Sequence, residues 1–309
     1  YDKFENVPIK KMYIDIETAE IENINEEIKN PKIPIYSVSV MDNFDNTLHT
    51  FIWHKELKMA VNPSNISIFN DEKTMLTTFI EKFNEIDPDL IIGWNSNVFD
   101  IQFIVNRCKN LKIDIGKISM NERISVDEYF GNVEIRCAGR YFFDLAKAYR
   151  VLHFTELESW ALNYVAGKEL GKEKIQIRQN LGDLWNNNPE KLIEYNQNDV
   201  LLVKELDEKL EITNTYNEAR LEFGCRWEDL WRTNSYLDMI FLREAKNLGV
   251  VLPKSPKKFI EKDSIMGGFV HEVKAGIYFN VVVLDLKSLY PSIMRSFNMS
   301  PETLHKHGR

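Results

Sequence analysis

The sequence predicts an α/β or α+β fold over roughly residues 1 to 210, from the order of its elements, in a chain of globular size and composition. Strands come first, and a strand–helix alternation follows. At 309 residues the chain is long enough for about two domains and at least one sizeable core. Hydrophobic residues make up 44% and charged residues 28%, proportions ordinary for a globular protein.

The elements follow in order. Lys11 to Ile16 reads as a strand, with Met12, Ile14 and Ile16 alternating against Tyr13 and Asp15. Ile33 to Met41 and Thr47 to Trp53 read as two more, joined by the Asp- and Asn-rich turn Asp42 to Asn46. Asp71 to Ile86 has Met75, Phe79, Phe83 and Ile86 at helical spacing, and Pro88 stops it. Leu90 to Trp94 is a short apolar strand, and Phe99 to Leu111 a helix. Glu134 to Leu145 suggests a hairpin around Gly139, and Thr155 with Glu158 a capping box before a helix through Val165. Asn188 as N-cap and Pro189 at the first position open a long helix carrying Leu192, Ile193, Leu202, Val203, Leu206 and Leu210. The texture then changes. Ile212 to Leu248 is helical and rich in Arg and aromatic residues, Pro253 to Lys262 is basic, and Phe269 to Val273 with Tyr278 to Leu286 suggests a strand pair. A domain boundary is expected near residue 212, dividing 1–212 from 213–309.

Charge and cysteines narrow the function. Lys plus Arg number 39 against 47 Asp plus Glu, a net charge of −8, which excludes a uniformly basic coat for nucleic acid but not a local groove or a carboxylate–metal site. Cys108, Cys137 and Cys225 are distant and form no CxxC pair, so a disulfide framework and a zinc site are disfavoured. Apolar runs such as Val281 to Leu284 are too short to span a membrane. The amino terminus shows no signal-peptide pattern and does not begin with Met, so a fragment or a processed chain is expected, with a reducing cytoplasmic location as the default.

Three patterns carry chemistry. Asp15-Ile16-Glu17 places two carboxylates on one face of a strand, where they repel unless a cation lies between them. Oxygen donors at that spacing suit Mg²⁺ or Mn²⁺. Asn95 to Asp100 follows an apolar strand ending in Gly93-Trp94, and Asp100 opens a helix. Tyr195 and Asp199 share a helical face at i and i+4. Singly, each has a bland alternative: solvated surface charges, a helix-start charge, a packing tyrosine. Asp144 reads as structural.

In this order and on these elements, the three patterns resemble the exonuclease motifs of the DEDDy class. The resemblance covers roughly residues 10 to 210 and implies a ribonuclease H-like mixed sheet flanked by helices. It also implies two-metal chemistry, with Asp15, Glu17, Asp100 and Asp199 holding two Mg²⁺ or Mn²⁺ ions about 4 Å apart, Asp15 between them. Tyr195 would orient the attacking water, since a phenol near pKa 10 is a poor base at neutral pH. Asn95 and Phe99 would position the terminal nucleotide.

Val281 to Ile293 contains Leu284-Asp285-Leu286-Lys287-Ser288-Leu289-Tyr290-Pro291-Ser292, which looks like motif A of family B DNA polymerases. The resemblance implies that Asp285 and the Leu286 carbonyl bind metal and that Ser288, Leu289 and Tyr290 bind the nucleotide, Tyr290 excluding a 2′-hydroxyl. Gly267-Gly268 resembles the Tyr-x-Gly-Gly element that contacts template, although Ile265 stands at the Tyr position. Lys254, Lys257, Lys258 and Lys262 precede it, either as a solvated loop or as a phosphate track. The fold implied is an exonuclease domain, a helical connector and an incomplete palm. The implied partners are single-stranded and primer–template DNA, dNTP in the complete enzyme, a C-terminal polymerase polypeptide and a sliding clamp. With the second palm aspartate beyond Arg309, the chain alone is expected not to polymerise. The competing readings are a hydrolytically silent DNA-binding scaffold and an RNA-trimming exonuclease.

Overall fold

Alternation along the first strand decides which residues meet which helices. The computed structural model describes residues 7–57, 64–129, 132–153, 155–172, 180–252, 269, 271–300 and 303. Its strands are β1 (Lys11–Thr18), β2 (Ile35–Asp42), β3 (Leu48–Trp53), β4 (Ile66–Phe69), β5 (Leu90–Gly93), β6 (Ile124–Tyr129), β7 (Asn132–Cys137) and β8 (Tyr141–Asp144). Its helices are α1 (Ile24–Lys29), α2 (Glu72–Ile86), α3 (Asp100–Asn110), α4 (Leu145–Leu152), α5 (Leu162–Leu170), α6 (Leu181–Asn187), α7 (Pro189–Leu210), α8 (Ile212–Phe223), α9 (Thr233–Asn247) and α10 (Leu289–Ser296).

Six strands form one mixed sheet in the order β4-β3-β2-β1-β5-β8. β1, β2 and β3 run antiparallel in sequence, whereas β4, β5 and β8 each join their neighbour in parallel. Met12, Ile14 and Ile16 pack with Val38 and Val40 against α2 and α3 on one face. Tyr13 looks to the other face, where Leu90, Ile92 and Phe143 meet Val200, Val203 and Leu206 of α7. This mixed sheet flanked by helices is the ribonuclease H-like arrangement that the motifs implied.

β2 shows why alternation need not mean solvent. Its Ser37-Val38-Ser39-Val40 is buried throughout. The valines enter the α2–α3 core, and the serines lie beneath α7, where Ser37 bonds Asn196 and Ser39 bonds Thr50. A polar seam therefore runs between the sheet and α7.

Most boundaries follow local chemistry. Asp71 caps α2 by accepting from the Thr74 N–H at 2.9 Å and its hydroxyl at 2.7 Å, which also hold its carboxyl below the usual range. Asp87 ends that helix in a left-handed conformation just before Pro88. Asn188 and Pro189 open α7 as expected.

Other expectations are corrected. The hairpin around Gly139 shrinks to one antiparallel bridge between Cys137 and Arg140: β7 pairs with β6, and β8 joins β5 in the main sheet. β8 buries Phe142 on one face and Phe143 on the other, a gain of about 1.5–3 kcal/mol per ring that a two-stranded ribbon would not provide. Thr155 and Glu158 cap nothing, because α5 starts at Leu162 behind Ala161. The Thr155 hydroxyl meets His153 instead, and the Trp160 carbonyl accepts from the Trp94 indole at 3.0 Å. Tyr278 to Leu286 is not a strand. Val281 to Leu284 are 67–87% exposed, and a strand without a partner has no ladder to stabilise it. Its expected partner, Phe269 to Val273, lies partly outside the described residues.

Two compact units emerge, Tyr1–Leu252 and Pro253–Arg309. Residue 212, where the texture changes, lies inside the first. There Asp207 of α7 accepts from the Tyr13 hydroxyl (2.8 Å), the Thr213 N–H (2.8 Å), the Thr213 hydroxyl (2.7 Å) and the Lys11 ammonium (3.4 Å). This buried acceptor ties β1, α7 and α8 together, and burial, followed by the Asp207 charge, drives the Tyr13 phenol far above its ordinary pKa. Asp207→Ala is expected to lower the unfolding free energy by about 3 kcal/mol, because it removes the counter-charge of a largely buried ammonium, which keeps only the neutral Thr213 and Asn214 oxygens, and takes the acceptor from the buried Tyr13 hydroxyl. Urea unfolding checks this, and an unchanged midpoint would show that the clamp contributes nothing.

Candidate active site

β1 delivers Asp15 and Glu17 to the α7 side of the sheet. Glu17 is buried and Asp15 half-buried. Asp199, buried in α7, faces them, and one carboxylate oxygen from each of the three lies within 4.8 Å of the others. Residues 184 positions apart in sequence thus converge because apolar contacts on either side of Asp199 press α7 onto the sheet. Leu192 and Ile193 pack toward β3 and β4, and Val200, Val203 and Leu206 toward β1 and β5.

Asp100 arrives from another direction. β1 and β5 pair only as far as Tyr13 and Ile92. Beyond that point the Ile16 N–H is taken by the Asp100 Oδ1 at 3.2 Å. Burial raises the Asp100 carboxyl pKa, the Ile16 and Asp100 N–H groups hold it back, and the charges of Asp144 and Asp199 raise it further. Asp100 thus adjoins the trio, although it is not one of the three oxygens that meet within 4.8 Å.

The turn between β5 and α3 is tightly constrained. A side chain at Gly93 would sit 2.5 Å from the Ser96 Cβ and 3.0 Å from the Ile14 carbonyl. Asn95 adopts φ +57°, which Asn tolerates better than most residues. Its N–H donates to Asp144 Oδ1 at 3.1 Å, and the same carboxylate caps α4 through the Lys147 N–H at 3.2 Å. Asp144 is therefore a structural anchor, as its sequence context suggested. Asn95 and Phe99 are half-buried on this turn, with the Phe99 ring 5.6 Å from Phe103. Tyr195 is half-buried one turn before Asp199.

One residue at this site is absent from the sequence-level expectation. Asn196 is fully buried, and its Nδ2 donates to Asp15 Oδ2 at 2.7 Å. The available signal was its place three residues before Asp199 on the same helical face.

The other predicted positions belong to the second unit or lie outside the described residues. Asp285, Leu286, Ser288, Leu289 and Tyr290 are exposed, with Ser288 capping α10 in a left-handed conformation. Lys254, Lys257, Lys258, Lys262, Ile265, Gly267 and Gly268 lie outside the described residues.

The donor set can be tested against a metal. Converging carboxylates supply hard, anionic oxygens, which suit a small divalent cation and would otherwise repel one another. The residues fit such an ion. Cys108, Cys137 and Cys225 are free and buried. Among the described residues, no helix is long and apolar enough to cross a membrane.

Comparison with known proteins agrees with this geometry. Residues 2–165 match the family described as DNA polymerase family B, exonuclease domain, and residues 232–309 match DNA polymerase family B. The DNA-directed DNA polymerase of Escherichia phage RB69 is 25% identical over 98% of this chain and 36% of its own length. The DNA polymerase of Pyrococcus glycovorans is 28% identical over 97% of this chain and 38% of its own. The DNA polymerase delta catalytic subunit of Oryza sativa subsp. japonica is 30% identical over 78% of this chain and 23% of its own. The chain thus spans little more than a third of the phage relative. With more than half of its residues matched by the exonuclease-domain model and its carboxylates gathered at one strand, this chain belongs to DNA polymerase family B.

Proposed function

We propose that the chain carries the 3′→5′ proofreading exonuclease of a family B DNA polymerase, acting on the 3′ end of single-stranded DNA. Residues 1–212 form the exonuclease domain, and 213–309 form a helical connector and the first part of the polymerase palm. The observation that carries this reading is the meeting of Asp15, Glu17 and Asp199 within 4.8 Å, with Asp100 beside them.

In this reading Asp15, Glu17, Asp100 and Asp199 hold two Mg²⁺ or Mn²⁺ ions. When bound, these would lower the pKa of the attacking water and stabilise charge on the phosphate and the departing 3′ oxygen. The protein's part is to hold four acidic groups in place before substrate arrives, so that little reorganisation remains for the reaction itself. The Tyr195 hydroxyl orients the water against the phosphorus. Asn95 and Phe99 position the terminal nucleotide. Asp285, the Leu286 carbonyl, Ser288, Leu289 and Tyr290 belong to the nucleotide and metal site of the polymerase module, and Lys257, Lys258, Gly267 and Gly268 to its DNA track. Primer–template DNA, dNTP, a C-terminal polymerase polypeptide, a sliding clamp and a cytoplasmic setting belong to the whole enzyme.

A 5′-labelled single-stranded DNA oligonucleotide tests the reading. The wild type is expected to shorten it from the 3′ end in Mg²⁺ and to stop on chelation. Asp100→Asn keeps an acceptor for the Ile16 N–H but removes the charge, and is expected to fall to background while folded. Wild-type rates in that variant would remove Asp100 from the site.

Tyr195→Phe keeps the ring and deletes the hydroxyl. Its kcat is expected to drop about 10- to 1,000-fold with little change in KM, and an unchanged kcat would return Tyr195 to packing.

Metal binding should also register in stability. At a Mn²⁺ concentration of about 100 times Kd the folded chain gains about 2.7 kcal/mol, visible as a raised Tm. Glu17→Gln and Asp199→Asn are expected to lose most of that rise. An equal rise in both variants would place the ion elsewhere.

A further inference from the structure

Asp15 belongs to a strand, yet its carboxylate is held from a helix. Asn196 Nδ2 donates to Asp15 Oδ2 at 2.7 Å, and Asn196 Oδ1 accepts from the Ser37 hydroxyl at 3.1 Å. The polarity of this chain of bonds follows from chemistry. A carboxylate only accepts, so the amide must present its NH₂ group to Asp15 and its carbonyl to Ser37. Ser37 therefore donates.

Three elements close the arrangement. Ser37 is opposite Glu17 in the β1–β2 register, and Ser39 is opposite Asp15. Asn196 enters this polar seam from α7, and both Asn196 and Ser37 are fully buried. The neighbouring Gln197 anchors the same turn of α7, donating to the Thr50 hydroxyl at 2.8 Å, which in turn meets the Ser39 hydroxyl at 2.9 Å. A fully buried amide has few rotamers open to it, so its hydrogen bond constrains direction as well as distance.

We propose that Asn196 is a positioning residue for the metal centre: its amide, oriented by Ser37, fixes Asp15 Oδ2 and thereby the plane in which the Asp15 carboxylate meets the cation. The inference rests on the reading of Asp15, Glu17 and Asp199 as a metal site and adds the group that aims one of its ligands. The amide is neutral, so it orients the carboxylate without cancelling the negative charge that attracts the cation. A lysine in its place would compete with the metal for that charge. Partners that orient a ligand in this way are typically worth about 10- to 100-fold in metal affinity.

The test measures Mn²⁺ binding to the full chain by isothermal titration calorimetry, with the apo Tm of each variant recorded alongside. Asn196→Leu keeps the approximate size of the side chain and removes the donor. It is expected to weaken Mn²⁺ binding about 10- to 100-fold and to lower kcat on single-stranded DNA with KM unchanged. Ser37→Ala leaves the amide in place but unoriented. It is expected to weaken binding about 3- to 10-fold, the worth of one neutral hydrogen bond, and it carries the test if Asn196→Leu does not fold. Wild-type Mn²⁺ affinity in folded Asn196→Leu, or in Ser37→Ala if only that variant folds, overturns the proposal even where the apo Tm falls, since a purely structural role predicts that result. Asp15→Ala separates the two layers. If it loses Mn²⁺ binding while Asn196→Leu keeps it, only the role of Asn196 fails. If Asp15→Ala binds Mn²⁺ as the wild type does, the metal-site reading fails and the role of Asn196 with it.

Discussion

Repulsion among carboxylates at the far end of β1 is the constraint on which the arrangement of the first unit depends. Asp15, Glu17 and Asp199 bring three oxygens within 4.8 Å, and Asp100 and Asp144 add their fields close by. Left to themselves such groups would separate or take up protons. The fold opposes this with apolar burial on both sides of the sheet. Met12, Ile14 and Ile16 are locked against α2 and α3, which fixes the odd-numbered residues of β1 toward α7. Val200, Val203 and Leu206 then hold α7 down over them.

The polar groups around the carboxylates divide into those that anchor elements and those that aim side chains. Asp144 anchors, because it caps α4 and grips the Asn95 N–H, fixing the turn that leads into Asp100. Asp207 anchors the opposite end of α7 to β1 and α8. Asn196 aims, because it touches a carboxylate of the cluster directly. The same residue types serve both ends, and only their place relative to the Asp15–Glu17 face separates scaffold from chemistry.

Much of this is legible in the sequence. Period-2 alternation in β1, helical spacing in α2, and the Asn188–Pro189 start of α7 are local signals, and the structure follows them. The family resemblance was legible for a related reason: each acidic motif sits on an element whose local pattern is strong. What escaped depends on distant partners. The parallel pairing of β8 with β5 leaves no trace around Gly139, where the turn residues suggest a hairpin. The burial of Ser37 and Ser39 in β2 has no local signature, because it depends on partners far along the chain. Asn196 was hidden by the same fact, since its partners Asp15 and Ser37 lie 181 and 159 residues away. Tyr278 to Leu286 read as a strand because its residues favour one, but they find no ladder among the described residues.

The central claim is that these carboxylates exist to hold metal against a DNA end. Anomalous diffraction from crystals of the chain grown with Mn²⁺ and a short single-stranded DNA tests it most directly. The account predicts that manganese would be held between β1 and α7 by Asp15, Glu17, Asp100 and Asp199, with the 3′ end of the DNA beside it. Manganese bound elsewhere, or DNA seated with its 3′ end away from Asp15, Glu17, Asp100 and Asp199, would contradict it.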